Sequence, residues 1–227
     1  MKILALDTAT QSCSVAVIDD NIVTAEITGC SKQTHSRHLM DMINSALKMS
    51  GFNIKNIDGF AVTQGPGSFT GLRIGISTVK GLALGLSRPL IGVSNLKVLA
   101  SRFYHSPYLI CAMIDARKSE VYCAKYRFEK GVLIEKTKEQ VTSPEHAVAD
   151  INEQCNFVGN GSEIYKNLIS DILGSKACFS PAHTNIVRAS DVAILALGRF
   201  KQDDYDTIAG LVPSYIRKSD AELNFKR

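Results

Sequence analysis

Two short segments place an acidic side chain at the end of an apolar run. Asp7-Thr8 follows Ile3-Leu4-Ala5-Leu6, and Asp115-Ala116-Arg117 follows Tyr108 to Ile114. One reading is a pair of phosphate-facing loops that clasp a nucleotide between them. The other is that Asp favours turns for its own sake, because its side chain bonds nearby backbone amides. Gly65-Pro66-Gly67-Ser68-Phe69-Thr70-Gly71 has the look of a phosphate cradle, but the G-x-x-x-x-G-K-[ST] spacing fails and no G-x-G-x-x-G occurs. Glycine here equally allows a tight turn and close packing into a helix capped by Ser68 or Thr70. His35 and His38 stand three apart, a spacing that can hold a metal, yet no third ligand accompanies them. No Ser-His-Asp order, G-x-S-x-G or carboxylate pair is found, so hydrolytic chemistry has no visible nucleophile.

The elements that must position these residues are read from periodicity. Lys2–Leu6, Ser14–Ile18 and Ile22–Thr28 predict three strands joined by short turns, an antiparallel meander. A helix over about 34–50 closes at Gly51. Then come a strand at 57–63, the glycine loop, a helix over about 70–86 stopped by Arg88-Pro89, and a strand at 90–93. The second half starts again: a strand over 108–114 ends at Asp115, and 120–127 returns as residues 14–18 do. NFVGNG at 156–161 predicts a further strand and turn, and Ser190 caps a last helix over about 191–201. The repeated order of apolar strand, Asp, polar loop and strand predicts an α/β architecture of two similar subdomains with mixed sheets flanked by helices. The division expected is 1–106 and 107–227, with the boundary at Ser106-Pro107 and the last helix returning across it.

Two helices carry more than a core contact requires. On 34–50, Leu39, Met40, Met42, Ile43, Ala46, Leu47 and Met49 cover about half the circumference, at roughly 100° per residue. On 70–86, Leu72, Ile76, Val79, Ala83 and Leu86 form an apolar face, and Gly71, Gly75, Gly81 and Gly85 are expected on the other side. An interior glycine costs about 0.5–1 kcal/mol relative to alanine, so several in one helix call for a close neighbour. Either both helices sit deep in their own subdomain or they form a subunit interface. The interface reading names Leu39, Met42, Ile43, Ala46, Gly71, Gly75 and Thr78, and expects a bulky side chain at position 75 to block a partner while the chain stays folded.

Composition narrows the class. With 45% hydrophobic and 21% charged residues, the 227-residue chain builds a real core, and a formal charge of +4 is compatible with an acidic partner without implying one. Ile3–Leu6 is too short for a signal peptide and no run approaches the roughly 18 apolar residues of a membrane span, so a cytoplasmic location is expected. None of the six cysteines forms a C-x-x-C pair, which argues against a disulfide framework or zinc site.

LALDTATQSCSVAV, QGPGSFTGLRIGISTVKGLALGLSRPLIGVSNLKVLA, IDARKSEVY and the closing LVPSYIRKSDAE together resemble the TsaB (formerly YeaZ) family over nearly the whole chain. The resemblance implies an actin-like ATPase (ASKHA) fold. It also implies a non-catalytic partner subunit that supports TsaD in forming N6-threonylcarbamoyladenosine (t6A) at position 37 of tRNAs. TsaD would be its heterodimer partner, with TsaE joining the pair, a homodimer when the chain is alone, tRNA met only through the complex, and no membrane. In the catalytic paralogue the stretch after the glycine-bearing helix reads V-N-H-x-x-x-H, and both histidines hold the metal. Here Asn95 and Leu99 occupy those places, which cannot replace two imidazoles, so no metal and no cofactor are expected. Asp7 and Thr8 fit the family's first phosphate loop. Asp115 to Lys118 departs from its glycine-rich second loop and places bulk where backbone amides should approach phosphates. Gly159-Asn160-Gly161 is similar to its adenosine-binding turn. The expected nucleotide set is thus Asp7, Thr8, Asp115, Arg117, Gly159 and Gly161, with weak or no binding by the chain alone. Alanine at Asp7 or Arg117 is expected to leave the fold intact. A small kinase or ATPase of the same fold, or an M22-type metallopeptidase, is the alternative.

Overall fold

The computed structural model describes residues 1–10, 12–30 and 38–217. The chain divides into two compact units, Met1–Val98 with Val187–Ser214, and Leu99–Ile186 with 215–217 of the described tail. In the first unit, β1 (Lys2–Asp7), β2 (Ser12–Asp19) and β3 (Ile22–Cys30) form the meander. The chain then runs through α1 (Leu39–Ser50), β4 (Gly59–Gly65), α2 (Phe69–Leu86), β5 (Leu90–Ser94) and α3 (Asn95–Ser101), which spans the point where the units divide. The sheet order is β3-β2-β1-β4-β5, with β1 antiparallel to β2 and parallel to β4. β1 is central and almost wholly buried, which is why it reads as an unbroken apolar run. Its Leu4 and Leu6 join the cluster built with Ile43 and Leu47 of α1 and Ile76 and Val79 of α2. Ile3 and Ala5 point to the opposite face, as the period of two requires.

α1 stops at Gly51 in the left-handed conformation (φ 74°), where Phe52 N donates to Leu47 O. Ser68 caps α2 by accepting from Gly71 N, and Ser87 (φ 50°) ends it just before Pro89.

The second unit repeats the plan. Its elements are β6 (Leu109–Arg117), β7 (Glu120–Glu129), β8 (Val132–Glu135), β9 (Gln140–Thr142), α4 (Pro144–Val148), β10 (Cys155–Val158), α5 (Asn160–Ile164), α6 (Lys166–Leu173) and β11 (Ala177–Phe179). The path β8-β7-β6-β10-β11 has the order of the first sheet, again with an antiparallel hairpin on one side and parallel strands on the other. Met113, Cys123, Phe157 and Ile169 sit at its core. Four of the six free cysteines are buried, and burial pushes the Cys155 thiol up to about 12. They behave as small hydrophobes.

α7 (Ala189–Phe200) belongs to the first unit and packs on β1, β2, β4 and β5. The units divide at Val98/Leu99 rather than at 106, and the first takes back 187–214, which includes the last helix. The expected cap, Ser190, lies inside the helix instead. Its N–H and hydroxyl both donate to Glu26 Oε1, and Ala189 N donates to Ser14 Oγ, so β2 and β3 supply the cap. Beyond α7, Arg199 pairs with Asp204 and Asp206, and Asp206 accepts from Gly92 N on the edge strand β5. That edge is thereby covered.

Candidate functional site

The strongest polar constellation in the first unit centres on Asp7, at the last position of β1. Its carboxylate is completely buried. Oδ1 accepts from Thr63 Oγ1 (2.5 Å), Asn95 Nδ2 (2.9 Å) and Ala9 N (3.2 Å), and Oδ2 accepts from Thr10 Oγ1 (3.1 Å). Asn95, the first residue of α3, in turn accepts from Gly65 N at 2.9 Å. One carboxylate thus ties together the ends of β1 and β4 and the start of α3. Burial pushes the Asp7 carboxyl above its ordinary value, and the bonds from Thr63, Ala9, Asn95 and Thr10 pull it back only in part. The expectation that Asp7 lies on a loop outside the core is corrected here: parallel pairing of β1 with β4 carries its end into the packed interior. Its lone pairs are already engaged, so it offers little to a phosphate-bound cation.

Thr8 is equally buried and donates through Oγ1 to Gly71 O at 2.7 Å. This brings the β1 turn onto the first turn of α2. A Cβ on Gly71 would collide with the Thr8 carbonyl oxygen, and one on Gly75 would stand 2.5 Å from Thr8 Oγ1 and 3.3 Å from Leu6 and Val62. These two glycines face the sheet, whereas Gly81 and Gly85 have open space beside them. The outward placement of Gly71 and Gly75, and with it the idea that bulk at position 75 leaves the chain intact, is corrected: the glycines let the turn touch the helix backbone.

The second loop is built differently. Asp115 is half-buried and accepts from Arg117 N at 2.9 Å, closing a turn on itself. Arg117, Lys118 and Ser119 all have positive φ (60°, 52° and 59°), a left-handed run that L-residues adopt at a cost. Arg217 steadies this hairpin by donating to Ala116 O (2.9 Å) and pairing with Glu120 (3.1 Å). Gly159 (φ 99°) and Gly161 open α5. A Cβ on Gly159 would strike Met113 O, and one on Gly161 would lie 3.0 Å from Met113 C, so both serve the approach of α5 to β6. Gly159 N donates to Asn185 Oδ1 at 2.9 Å. Each member of the expected nucleotide set thus has a local structural employment.

On α1, Leu39, Ile43 and Ala46 are buried in the unit's own core, which corrects their placement on an exposed interface face. Met42 and Thr78 are half-buried, and Met40 is half-exposed. Leu39, Met40, Arg73, Ile74, Ser77 and Thr78 line a shallow groove of about 380 Å³ between the two helices. Arg73 lies 3.9 Å from the Phe69 ring centroid. His38 is exposed just before α1, and His35 falls outside the described residues. The sequence reading missed Thr63 and Thr10 as partners of Asp7. The available signal was a hydroxyl residue three positions after Asp7 and another two residues before the end of β4.

Comparison with known proteins places this geometry. The family model described as TsaD, tRNA N6-adenosine threonylcarbamoyltransferase, matches residues 26–225. The tRNA threonylcarbamoyladenosine biosynthesis protein TsaB of Bacillus subtilis is 32% identical over 99% of this chain and 98% of its own length. The protein of the same name from Escherichia coli is 34% identical over 97% and 96%. The solved structure of YeaZ from Pseudomonas aeruginosa superposes with a TM-score of 0.82 at 30% identity, covering 94% of this chain and 99% of that one. The fold is the α/β actin-like ATPase fold, its two sheets of like topology being the duplicated unit of that architecture. The chain belongs to the TsaB family of tRNA threonylcarbamoyladenosine biosynthesis proteins, within the wider TsaD family whose model it matches.

Proposed function

We propose that this chain is a partner subunit, without a transfer centre of its own, that supports TsaD in forming t6A at position 37 of tRNAs. The observation that carries the reading is the match to TsaB proteins at 32% and 34% identity over nearly the full length of each. The non-catalytic part is supported by position 95, where the resemblance puts a metal-binding histidine. Asn95 is fully buried there, with its amide bonded to Asp7 and Gly65. Leu99 at the other ligand position is buried as well. A neutral amide and an isobutyl group leave no imidazole pair to hold a transition metal.

The partner surface in this reading is the outer part of the α1–α2 layer. Of the expected interface, Met42 and Thr78 remain once the buried residues are set aside; Met40, Ile74 and Ser77 join them, and the groove lined by Leu39, Met40, Arg73, Ile74, Ser77 and Thr78 accepts side chains from a facing helix pair. TsaE joins the complex, the free chain pairs with a second copy through the same surface, and the assembly works in the cytoplasm on tRNA held by other subunits. No helix among the described residues is long and apolar enough to cross a membrane.

The test is depletion of the chain in its host with nucleoside analysis of bulk tRNA. The t6A signal should fall and return with the wild-type chain. It should not return with Met40→Arg combined with Ser77→Arg, a variant that should fold normally and fail to co-purify with TsaD. Unchanged t6A on depletion would overturn the function, and full activity of the double variant would overturn the surface.

A further inference from the structure

The outer edge of the first sheet is closed mostly by side chains. β5 pairs with β4 on one side, and its residues Leu90 to Val93 are buried. On the other side it meets the segment that follows α7. Leu90 O accepts from Asp206 N at 3.0 Å, an isolated antiparallel bridge. At Gly92 side chains take over from the main chain. Gly92 N donates to Asp206 Oδ2 at 2.7 Å, and Gly92 O accepts from Arg199 Nη1 at 3.3 Å. The two side chains are themselves paired, Arg199 Nη2 to Asp206 Oδ1, at 3.0 Å. A carboxylate thus stands where an added strand would put its carbonyl, and a guanidinium where it would put its N–H. Leu211, 2% exposed, lies over the same residue, since a Cβ on Gly92 would strike both Leu211 and Gln64 Oε1. Ser214 N donates to Gln64 O at 2.7 Å and ties down the far end of the segment.

We propose that the Arg199–Asp206 pair is a removable cap that keeps the chain from pairing through β5, and that its loss lets the β5 edge of one copy add to the β5 edge of a second. An open row of N–H and C=O groups is a template for another strand. The groups that close this one are partly exposed, and ion pairs so placed are individually weak. The occupant follows from symmetry. Two uncapped copies present the same short apolar edge, Leu90–Ser94, and an antiparallel pair about a two-fold axis lets each supply the donors and acceptors the other lacks. Gly92 suits the centre of that pair, because it brings no side chain to the approach. The segment carrying Asp206 and Leu211 must swing aside with the cap, so the bond at Asp206 and the burial of Leu211 are lost together.

The experiment compares Asp206→Ala, Asp206→Asn and Asp204→Ala in the full chain carrying Met40→Arg and Ser77→Arg, so that pairing through the α1–α2 layer does not contribute. Asp204 pairs with Arg199 without touching β5, which makes it the control for simple loss of an ion pair. Native-state hydrogen exchange of the Gly92 amide should quicken at least tenfold in Asp206→Ala and stay unchanged in Asp204→Ala, while Val62 on β4 stays protected in both. Asp206→Asn keeps an acceptor for Gly92 N and should fall between. Sedimentation should show Asp206→Ala forming a dimer as concentration rises, and its Gly92 amide should regain protection in that dimer. If Asp206→Ala does not fold, Arg199→Gln serves in its place and should shift exchange and association in the same direction. Four results would overturn the proposal: Gly92 exchange as slow without the cap as with it; no dimer of the uncapped chain up to ~1 mM, the weak end of specific association; a dimer in which Gly92 still exchanges fast; or Asp204→Ala behaving as Asp206→Ala does.

Discussion

The two units open alike, with a buried apolar strand that ends in Asp, yet the two aspartates do opposite things. Asp7 is buried and takes four hydrogen bonds from three elements. Asp115 is half-exposed and accepts from the backbone two residues on. The turn after Asp7 is pressed onto α2, and Thr8 sits where glycine side chains are missing. The turn after Asp115 projects as a hairpin of charged residues in left-handed conformation. One sequence pattern therefore yields a buried carboxylate knot in the first unit and a carboxylate that serves only its own turn in the second. The partners decide which: Thr63 and Asn95 reach the Asp7 carboxylate from 56 and 88 residues away, whereas the long-range bond of Asp115 is made by its backbone N–H, which donates to Asn160 Oδ1 at 3.1 Å.

The sharpest way to break this contrast is to remove each carboxylate. Asp7→Ala leaves the Thr63 hydroxyl, the Asn95 amide and the Ala9 N–H without their acceptor in the core, and each unsatisfied buried group costs about 1–3 kcal/mol. A loss of about 3 kcal/mol or more in urea unfolding is expected, against less than about 1 kcal/mol for Asp115→Ala. Similar losses for both would mean that the knot is no more than a turn.

The glycines give a second and somewhat smaller contrast. Gly71→Ala and Gly75→Ala each force a methyl group into the Thr8 turn, and overpacking of this kind costs about 1–3 kcal/mol. Gly81→Ala, in the same helix with nothing within 4 Å, should instead stabilise by about 0.5–1 kcal/mol through helix propensity. If all three raise the melting temperature, α2 does not touch the Thr8 turn in solution.

What was legible in the sequence follows from how far the determining contacts lie along the chain. The long periodic elements declared themselves: α2 begins one residue before the expected position, and the β1–β2 and β6–β7 hairpins stand where alternation and turn residues put them. β10 was read as the strand of NFVGNG, but α3, α4, α5, α6, β8, β9 and β11 were not read. Several of these are runs of three to five residues whose conformation is set by neighbours rather than by pattern. The orientation of Gly71 and Gly75 failed for a geometric reason. Residue 75 lies three positions from Leu72, about 60° away around the helix at roughly 100° per residue, beside the apolar stripe and not opposite it. The polar knot was half legible, since Asp at a strand end was noticed but its burial depends on Thr63 and Asn95.

A pH series separates the two aspartates without disturbing the packing. Burial raises the Asp7 carboxyl above the ordinary carboxylate value, so in the window just above that value the native state binds more protons than the unfolded state. Stability then falls as pH rises through the window, by at most about 1.4 kcal/mol per pH unit for one proton. The difference between wild type and Asp7→Asn isolates this contribution, because asparagine does not titrate. Urea unfolding from pH 7 down toward 4 should show the wild type gaining on the variant. The opposite trend would mean that the four hydrogen bonds outweigh burial and hold the carboxyl low.

The smallest expected effect concerns the hairpin at Arg117, Lys118 and Ser119. Three successive non-glycine residues at positive φ are unusual, because the Cβ of each crowds the following carbonyl oxygen, at about 1–2 kcal/mol per residue in a regular left-handed turn. Lys118 is the middle residue, and Arg117 and Ser119 lie next to the bonds that Asp115 and Arg217 make with the hairpin. Lys118→Gly removes the Cβ clash at φ 52° but enlarges the conformational freedom of the unfolded chain, and the two effects oppose each other. The steric term is the larger here, because glycine populates the left-handed region freely. A net gain of about 0.5–1 kcal/mol is therefore expected, read as a higher urea midpoint at unchanged slope. If Lys118→Gly destabilises the chain instead, the left-handed conformation at this position carries no strain, and the second loop is held by side-chain contacts of Lys118 in addition to the Asp115 turn and the Arg217 clamp.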